Sequence, residues 1–358
     1  MALPSDHPLV AGDAAASPLV RALRGDRPDT TPVWFMRQAG RSLPEYREAR
    51  GDTTMLEACT TPALVAEITA QPVRRHGVDG GIFFSDIVVP LLLAGLDVTI
   101  EPGVGPVFGE PIRTPEDVAA LPNLGAAGDG GAYDAALTVV AESAAAAVTA
   151  LGSTPLIGFA GAPYTLAAYM VEGRPSRDHL AARRLMRSDP ETWNRLMTWT
   201  AAASGRFLRT QVLAGAVAVQ LFDSWVGSLS AELYKRHCAP ASAAALAHVA
   251  DLDVPRIHFG THTGHLLEEL AAIGATVMGI DTETSLDVAT RRLPGMPLQG
   301  NIDPAVLTAP WSVIEAHVRD VIDAGRAAPA HVVNLGHGVP PDTDPRVLTR
   351  VVELIHGL

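Results

Sequence analysis

The chain has 358 residues, a formal net charge of −12 and a hydrophobic fraction of 47%. This length and composition predict either one large α/β barrel or two ordinary domains, and they exclude a disordered chain. The acidic balance argues against a general nucleic-acid or anionic-membrane binder, because neither polyanion favours a negative protein surface.

The N-terminal stretch MALPSDHPLVAGDAAAS lacks the basic start and apolar core of a signal peptide. The most apolar run, residues 87–96, is too short to cross a bilayer and contains a proline. Cys59 and Cys238 show no metal-binding spacing. These features predict a cytoplasmic protein without a membrane partner. The single lysine, Lys235, lies in a predicted helix, which disfavours a Schiff-base mechanism.

The N-terminal leader, residues 1–30, is predicted to carry one short helix. Ser17 would cap it, Pro18 would occupy its first position and Gly25 would end it. The remaining residues, 31–358, are predicted to form a single catalytic domain.

Eight short apolar runs follow in chain order, and each ends in small or polar residues. They are residues 32–36, 81–86, 155–161, 216–224, 255–260, 276–281, 296–302 and 331–338. Most are continuously apolar, as in strands of a parallel sheet buried on both faces. Helical patterns, strongest at residues 134–151 and 311–325, separate several of them. This alternation predicts a single-domain (β/α)₈ TIM-type barrel, with a doubly wound open sheet as the alternative.

Two long inserts, residues 87–130 and 162–210, make the strand spacing uneven. Within the first insert, residues 101–117 are expected to form a loop. Its GVGPVFG sequence does not match a nucleotide-binding fingerprint, because the glycine spacing is wrong and Pro106 interrupts it.

Side chains at the carboxyl ends of barrel strands converge on one face, where active sites lie. The candidates there are Arg37, Asp86, the turn 161–165, Asp223, Ser224, His258, His262, Asp281, Gln299, Asn301, Asp303, Asn334 and His337. A lone strand-end aspartate most often caps the next helix, and this interpretation fits Asp281 and Asp303.

The segment FMRQAGRSLPEYREAR, residues 35–50, concentrates positive charge in an acidic chain. Gly40 and Pro44 prevent a regular helix over residues 37–44, which places Arg37 and Arg41 on a loop after a strand. Guanidinium groups there suit bidentate binding of carboxylate or phosphate. The later arginines of the segment fit surface pairing with its glutamates, so Arg47, Arg50, Glu45 and Glu48 are expected to form surface ion pairs.

Two histidine-bearing stretches have alternative explanations. His258, His262 and His265 lack the spacing of the known zinc motifs, so a loop and helix entrance is favoured over a metal site. His337 lies between two glycines, which allow close backbone approach to a ligand, although the stretch also fits a simple turn.

Six motifs, in order, resemble the uroporphyrinogen decarboxylase family. They are PVWFMRQAGRSLPEYRE, IFFSDIVVP, GFAGAPYTLAAYMVEG, QLFDSWVG, LQGNIDP and NLGHGVPPDTDP. The resemblance implies a distorted (β/α)₈ barrel that forms a homodimer and needs no metal or organic cofactor. It also implies removal of carbon dioxide from the four acetate side chains of uroporphyrinogen III, a step of haem biosynthesis that gives coproporphyrinogen III.

By the same resemblance, Asp86 and Arg37 are the expected catalytic residues. The expected substrate-binding residues are Arg37, Gln38, Ala39, Gly40, Arg41, Asp86, Tyr169, Ser224 and His337. The chain departs from the family pattern at Ser42, where an aromatic residue is frequent, and at Trp225, where some members have histidine. The stretch HFGTHTGH also lacks the lysine that some members carry there.

Two other functions compete with this interpretation. A corrinoid-type methyltransferase on a related barrel needs a zinc site with an H-x-C pattern, and neither Cys59 nor Cys238 has a histidine two positions before it. A non-catalytic porphyrin-binding protein is disfavoured by the combination of Arg37 and Asp86.

Overall fold

A computed structural model of the chain describes residues 2–40 and 42–358, apart from the side chain of Asp13. Within them the strands are β1 Gly81–Ile82, β2 Val98–Glu101, β3 Gly105–Phe108, β4 Leu156–Gly161, β5 Ala218–Asp223, β6 Arg256–Gly260, β7 Val277–Gly279, β8 Leu298–Gln299 and β9 His331–Val332.

The α-helices of the described residues surround these strands. They are α1 Pro8–Ala11, α2 Pro18–Leu23, α3 Pro44–Arg50, α4 Met55–Cys59, α5 Pro62–His76, α6 Val89–Leu93, α7 Pro115–Ala119, α8 Ala132–Ala136, α9 Thr138–Leu151, α10 Pro163–Glu172, α11 Leu180–Ser188, α12 Pro190–Leu213, α13 Ala231–His237, α14 Ala239–Ala247, α15 Leu267–Ala271, α16 Leu286–Arg292, α17 Trp311–Gly325 and α18 Pro345–His356. Short 3-10 turns lie at Asp13–Ala16, Val226–Ser228, Ala250–Leu252, Gly264–Leu266 and Pro304–Thr308.

Seven parallel strands form one curled sheet in the order β1–β4–β5–β6–β7–β8–β9. All six residues of β4 are buried, as expected for a strand covered on both faces. Each of these strands corresponds to one predicted apolar run, and the strands follow one another around the sheet in chain order. This order matches a barrel, whereas an open doubly wound sheet reverses its strand order at a switch point.

The first apolar run, residues 32–36, closes the gap between β9 and β1. On one side the Trp34 amide donates to the Val333 carbonyl at 3.2 Å, and the Val333 amide donates to the Pro32 carbonyl at 2.8 Å. On the other side the Asp79 amide donates to the Val33 carbonyl at 2.8 Å. The Asp79 carboxylate accepts from the Val33 amide, also at 2.8 Å. The predicted (β/α)₈ barrel is therefore confirmed, with residues 32–36 as an irregular segment in the position of the eighth strand.

The last helix is attached to this closure through an ion pair. His356 Nε2 lies 2.9 Å from Asp79 Oδ2, and this contact raises the pKa of His356 above its ordinary value of 6.5. A raised folded-state pKa contributes stability that is fully present below pH 6.5 and is lost as pH rises through the folded pKa.

Replacing His356 by alanine is therefore expected to lower the melting temperature more at pH 6 than at pH 9. The expected loss at pH 6 is about 1–2 °C, the usual scale for a partly exposed pair. Calorimetry of both proteins at the two pH values measures it. A loss of the same size at pH 6 and pH 9 would show that the charge of His356 does not stabilise the fold.

The predicted helices are confirmed in position, and one loop expectation is wrong. The Ser17 side chain accepts from the Val20 amide, and Pro18 occupies the first turn of α2. Lys235 lies in α13, as predicted. Residues 98–108, which overlap the expected loop 101–117, form the antiparallel β2–β3 hairpin instead. The division between a leader of residues 1–30 and the barrel stays a prediction.

One helical stretch of the described residues, Ala132–Leu151, is long and apolar enough to cross a membrane by length and composition. It comprises α8 and α9, and 33% of its apolar window is buried. Its α9 part packs against α5 and α12 of the barrel wall. A barrel helix passes the same length test, so the expectation of no membrane partner stays a prediction.

Candidate active site

The barrel mouth is the face formed by the carboxyl ends of the parallel strands. It brings together three side chains that follow different strands. The phenol of Tyr169 lies close enough to Asp86 and Arg37 for both charges to shift its pKa. The pKa is raised to about 12, first by burial and then by the Asp86 carboxylate, while the Arg37 guanidinium opposes the rise. At neutral pH the phenol is therefore protonated, and it can donate a hydrogen bond in the neighbourhood of a carboxylate and a guanidinium.

Arg37 is exposed and lies on the turn that follows residues 32–36, with φ = 61°. The loop after β9 holds this turn, because the Val339 amide donates to the Met36 carbonyl at 2.9 Å. A methyl group at Gly338 would lie 2.5 Å from Cδ of Arg37, so the arginine stem rests directly on the glycine backbone. His337 is exposed and directly precedes Gly338 in the chain, so the loop that carries it lies against Arg37.

The rest of the arginine-bearing loop is described only in part, because Arg41 lies outside the described residues. Ala39 is half-buried and Gly40 has φ = 93°, a conformation that glycine adopts without steric cost. Helix α3 begins at Pro44, which is tolerated there because a first-turn residue needs no amide donor. The predicted non-helical stretch therefore ends one residue earlier than expected.

The two later arginines of the segment were expected to pair with its glutamates, and for Glu45 this is wrong. The Glu45 carboxylate is held by Arg75 of α5, and the pair is only partly exposed. The Arg50 guanidinium lies 5.7 Å from the centre of the Tyr46 ring. Arg47 is exposed on α3.

The side chain of Gln38 points into the protein interior and not into the barrel mouth. Its amide oxygen accepts from the Phe35 amide at 2.9 Å, and its amide nitrogen donates to the Gly80 carbonyl at 2.8 Å. Only 1% of the residue is exposed. The side chain therefore braces the turn that carries Arg37, and the expected contact of Gln38 with substrate stays a prediction.

Replacing Gln38 by leucine is expected to lower the free energy of unfolding by about 1–3 kcal/mol, because buried backbone groups lose their partners. Denaturant unfolding of both proteins measures the change. Unaltered stability together with a large rise in KM would show that Gln38 contacts the substrate and does not brace the loop.

Asp86 follows β1 at the start of the first insert and is half-buried. Its Oδ1 accepts from the Val88 amide at 3.1 Å, which fixes one carboxylate oxygen by a local turn. Burial and the nearby Asp86 charge together raise the pKa of the Cys59 thiol. Cys59 is therefore a protonated neighbour of the carboxylate.

Ser224 joins the site through the residue after it. It follows β5, and its carbonyl accepts from the Thr261 hydroxyl at 2.7 Å. The adjacent Trp225 stacks on Tyr169 with ring centres 3.8 Å apart. Electrostatic interactions thus group Arg37 and Asp86 with Tyr169. His337 and Ser224 are chain neighbours of Gly338 and Trp225, which lie against Arg37 and Tyr169.

The other strand-end candidates have structural partners. Asp281 accepts from the amides of Thr263 and Glu283, each at 3.2 Å. Asp303 caps a 3-10 turn through the Ala305 amide at 2.9 Å. The capping prediction is confirmed for Asp303. For Asp281 it is wrong, because Asp281 accepts from loop and turn amides while Ser285 caps the next helix, α16.

The three histidines of residues 258–265 have different structural partners. His258 is fully buried beside Asp223, His262 pairs with Glu283 at 2.6 Å, and His265 contacts the Leu229 carbonyl at 2.7 Å. In the part of the chain that the structure describes, no group of three or more His, Cys, Asp or Glu residues is arranged to hold a metal ion.

Two surface clefts lie away from this group of residues. One, of about 750 Å³, runs between residues 121–125 and the first half of α12. The other, of about 670 Å³, lies between residues 6–8 and the helices α9 and α12. Neither is lined by Arg37, Asp86 or Tyr169, so neither cleft is the site predicted from the strand ends.

Comparison with known proteins gives the family. The family model described as uroporphyrinogen decarboxylase matches residues 14–358. The chain is 62% identical to the uroporphyrinogen decarboxylase of Arthrobacter sp. (strain FB24), over 97% of this chain and 99% of that protein. The chain belongs to the uroporphyrinogen decarboxylase family. It is also 59% identical to the uroporphyrinogen decarboxylase of Leifsonia xyli subsp. xyli (strain CTCB07), over 99% of this chain and 98% of that one.

Solved structures that resemble this uroporphyrinogen decarboxylase family member show the shared barrel. A methyltransferase from Methanosarcina mazei has a TM-score of 0.74 at 17% identity, with 94% of this chain and 96% of that chain covered. A B12-independent methionine synthase from Shewanella sp. W3-18-1 has a TM-score of 0.54 at 10% identity, with 92% of this chain and 95% of that one covered. At such identities the likeness concerns the fold alone.

The rival methyltransferase chemistry lacks support in the cysteines. Cys59 and Cys238 are both buried, and burial raises the pKa of each thiol well above its ordinary value. Neither belongs to a group of His, Cys, Asp or Glu residues arranged to hold a metal ion among the described residues. The decarboxylase family fits the group at the mouth better, because its substrate carries carboxylates that a guanidinium and a phenol can bind.

Sequence reasoning missed Gln220 and Trp34, the buried partners of the strand-end candidate Gln299. Gln299 Nε2 donates to Gln220 at 2.8 Å, and the Trp34 indole donates to Gln299 at 3.0 Å, all inside the barrel. The polar Gln220 in the apolar run AVAVQLFDS was a signal of such a buried partner. Thr165, from the candidate turn 161–165, contacts Asp223 and Trp225 on either side of Ser224. His179, which stacks on Trp225, gave no comparable signal in the sequence.

Proposed function

We propose that the protein is a uroporphyrinogen decarboxylase that converts the four acetate side chains of uroporphyrinogen III to methyl groups. The products are coproporphyrinogen III and carbon dioxide. The observation that carries the proposal is the meeting of Arg37, Asp86 and the protonated Tyr169 at the barrel mouth of a chain from this family.

Substrate binding rests on the positive charge at the mouth. The substrate is an octa-anion, and the Arg37 guanidinium offers a fork of donors that matches one carboxylate. The Tyr169 phenol adds a neutral donor that does not repel the anion. Local focusing of the field allows this binding although the whole protein carries a net charge of −12.

Decarboxylation leaves an electron pair that needs an acceptor, and the pyrrole ring supplies one. Protonation of a ring carbon next to the acetate-bearing position gives a cation. The bond between the acetate CH₂ and its carboxylate carbon then breaks, carbon dioxide leaves and the electron pair moves into the cation. A proton adds to the exocyclic carbon to form the methyl group, and the ring carbon releases its proton.

Asp86 is the residue assigned to the cationic stage. Its carboxylate accepts hydrogen bonds from pyrrole N–H groups and stabilises the positive charge that develops on the ring. Arg37 is assigned to substrate binding, since a guanidinium holds its proton too tightly to be a good general acid. His337 and Ser224 are assigned to the polar wall that orients the remaining carboxylates.

The proposal includes a reaction without metal or organic cofactor, because the pyrrole is its own electron acceptor. It also includes a homodimer in the cytoplasm, as the family resemblance implies. Size-exclusion chromatography with light scattering tests the dimer, and a monomer at micromolar concentration would remove that part of the proposal.

Product analysis separates the proposal from its two rivals. Purified protein is incubated with uroporphyrinogen III in the absence of oxygen, and the oxidised products are separated by their number of carboxyl groups. A decarboxylase gives intermediates with seven, six and five carboxyl groups before the four-carboxyl product. A porphyrin-binding protein leaves the substrate unchanged, and a methyltransferase transfers a methyl group to a thiol acceptor without touching the acetates.

A further inference from the structure

Trp225 carries one aromatic ring on each face of its indole. The Tyr169 ring centre lies 3.8 Å from the indole centre with 28° between the planes. The His179 ring centre lies 4.3 Å away with 20° between the planes. Two rings that are nearly parallel to one indole and this close to its centre would overlap on a single face. They therefore occupy opposite faces, and Trp225 lies between them.

A second contact joins the same two segments of the chain. Thr165 lies four residues before Tyr169, on the same face of α10. Its hydroxyl donates to Asp223 Oδ1 at 2.8 Å and accepts from the Trp225 amide at 3.4 Å. Asp223 is fully buried at the end of β5. Helix α10 is thus attached to the end of β5 at two points one helical turn apart.

His179 is itself held in place at the end of the second insert. Only 5% of it is exposed, and its amide donates to the Ser176 hydroxyl at 3.2 Å. Its Nδ1 lies 3.3 Å from the Ser228 hydroxyl, which donates to the Trp225 carbonyl at 3.0 Å. Burial lowers the pKa of His179, which favours the neutral ring against the indole. The imidazole is therefore a fixed flat surface behind Trp225.

We infer that Trp225 and His179 are positioning residues, which hold the ring of Tyr169 and thereby fix where its hydroxyl lies in the group with Arg37 and Asp86. This inference rests on the proposed function, since it assigns Tyr169 to substrate carboxylates. Stacking restricts rotation of the tyrosine ring before substrate arrives, so less freedom is lost on binding. Neither Trp225 nor His179 needs to touch the substrate for this effect.

A double-mutant cycle tests the link between Trp225 and the Tyr169 hydroxyl. Trp225→Leu is expected to raise KM about three- to tenfold with little change in kcat, on the scale of one lost aromatic pair. Trp225→Phe keeps a flat ring and is expected to stay within about twofold of wild type. In a Tyr169→Phe background, Trp225→Leu is expected to change KM by less than about twofold, because the hydroxyl that it positions is absent.

Full multiplication of the two single effects in the double variant would overturn the inference, since Trp225 would then act independently of Tyr169. Trp199→Leu is the matched control. Trp199 is a half-buried tryptophan of α12 whose indole donates to the Pro122 carbonyl at 2.8 Å, away from the mouth. It is expected to leave KM unchanged.

Carbon-13 tyrosine NMR gives a readout that needs no turnover. The chain has five tyrosines, and the Tyr169 signal is the one that disappears in Tyr169→Phe. Ring protons over an indole face resonate upfield, so this signal is expected upfield in wild type and Trp225→Phe and shifted downfield in Trp225→Leu. A Tyr169 signal that does not move in Trp225→Leu would overturn the inference that Trp225 holds the tyrosine ring, and it would leave the proposed function unaffected. A wild-type protein that leaves uroporphyrinogen unchanged would contradict the proposed function instead.

Discussion

Asp86→Asn is expected to lower kcat by about 100- to 1,000-fold, the cost of losing one preorganised electrostatic contact to a transition-state charge. Asparagine keeps the shape of the side chain and its contact with the Val88 amide, but it removes the negative charge. The ring cation therefore loses its counter-charge, while substrate carboxylates still find Arg37. Steady-state kinetics with uroporphyrinogen III measures kcat and KM separately.

Asp303→Asn is the matched control for this change. Asp303 also follows a strand, and it caps a 3-10 turn through the Ala305 amide, a role that asparagine performs equally well. Its kcat is expected to stay within about twofold of wild type, as for a surface substitution. Near-normal turnover in Asp86→Asn would remove Asp86 from the mechanism.

Arg37→Gln is expected to lower kcat/KM by about 10- to 100-fold, the range for a lost hydrogen bond to a charged group. Most of the change is expected in KM, because the guanidinium binds a carboxylate in both the ground state and the transition state. Arg37→Lys keeps the charge but loses the fork, so it is expected to fall between wild type and Arg37→Gln.

Arg47→Gln gives the comparison within the same arginine-bearing segment. Arg47 is exposed on α3 and has no assigned part in binding, so its kcat/KM is expected to stay within about twofold. Equal losses in the Arg37 and Arg47 variants would mean that the general positive charge of the segment, and not the Arg37 fork, binds the substrate.

The barrel could be predicted from the sequence because its signals are local. Each barrel strand is a short apolar run that ends in polar residues, and the runs repeat with helical patterns between them. The cap formed by Asp303 could be predicted for the same reason, because its carboxylate accepts from the Ala305 amide only two residues away. Asp281 also accepts from an amide two residues away, that of Glu283, but Ser285 caps the helix that follows.

The contacts that arrange the site could not be predicted because they join residues far apart in the chain. Asp79 completes the barrel closure by contacting Val33. Glu45 forms its ion pair with Arg75 and not with the arginines close to it in the sequence. The family motifs placed Gln38 with the substrate-binding residues, but a motif does not show which way a side chain turns. Trp225 was visible only as a departure from the family pattern, while its stacking partners come from α10 and the loop before α11.

Decarboxylation in heavy water tests the central claim most directly, namely that the barrel mouth decarboxylates the substrate with the pyrrole ring as electron acceptor. Wild-type protein is dialysed against a metal chelator and incubated with uroporphyrinogen III in D₂O, and the product is analysed by mass spectrometry. The mechanism predicts full conversion to coproporphyrinogen III with one solvent deuterium in each new methyl group. Conversion only after a metal is added back, or new methyl groups without deuterium, would contradict it.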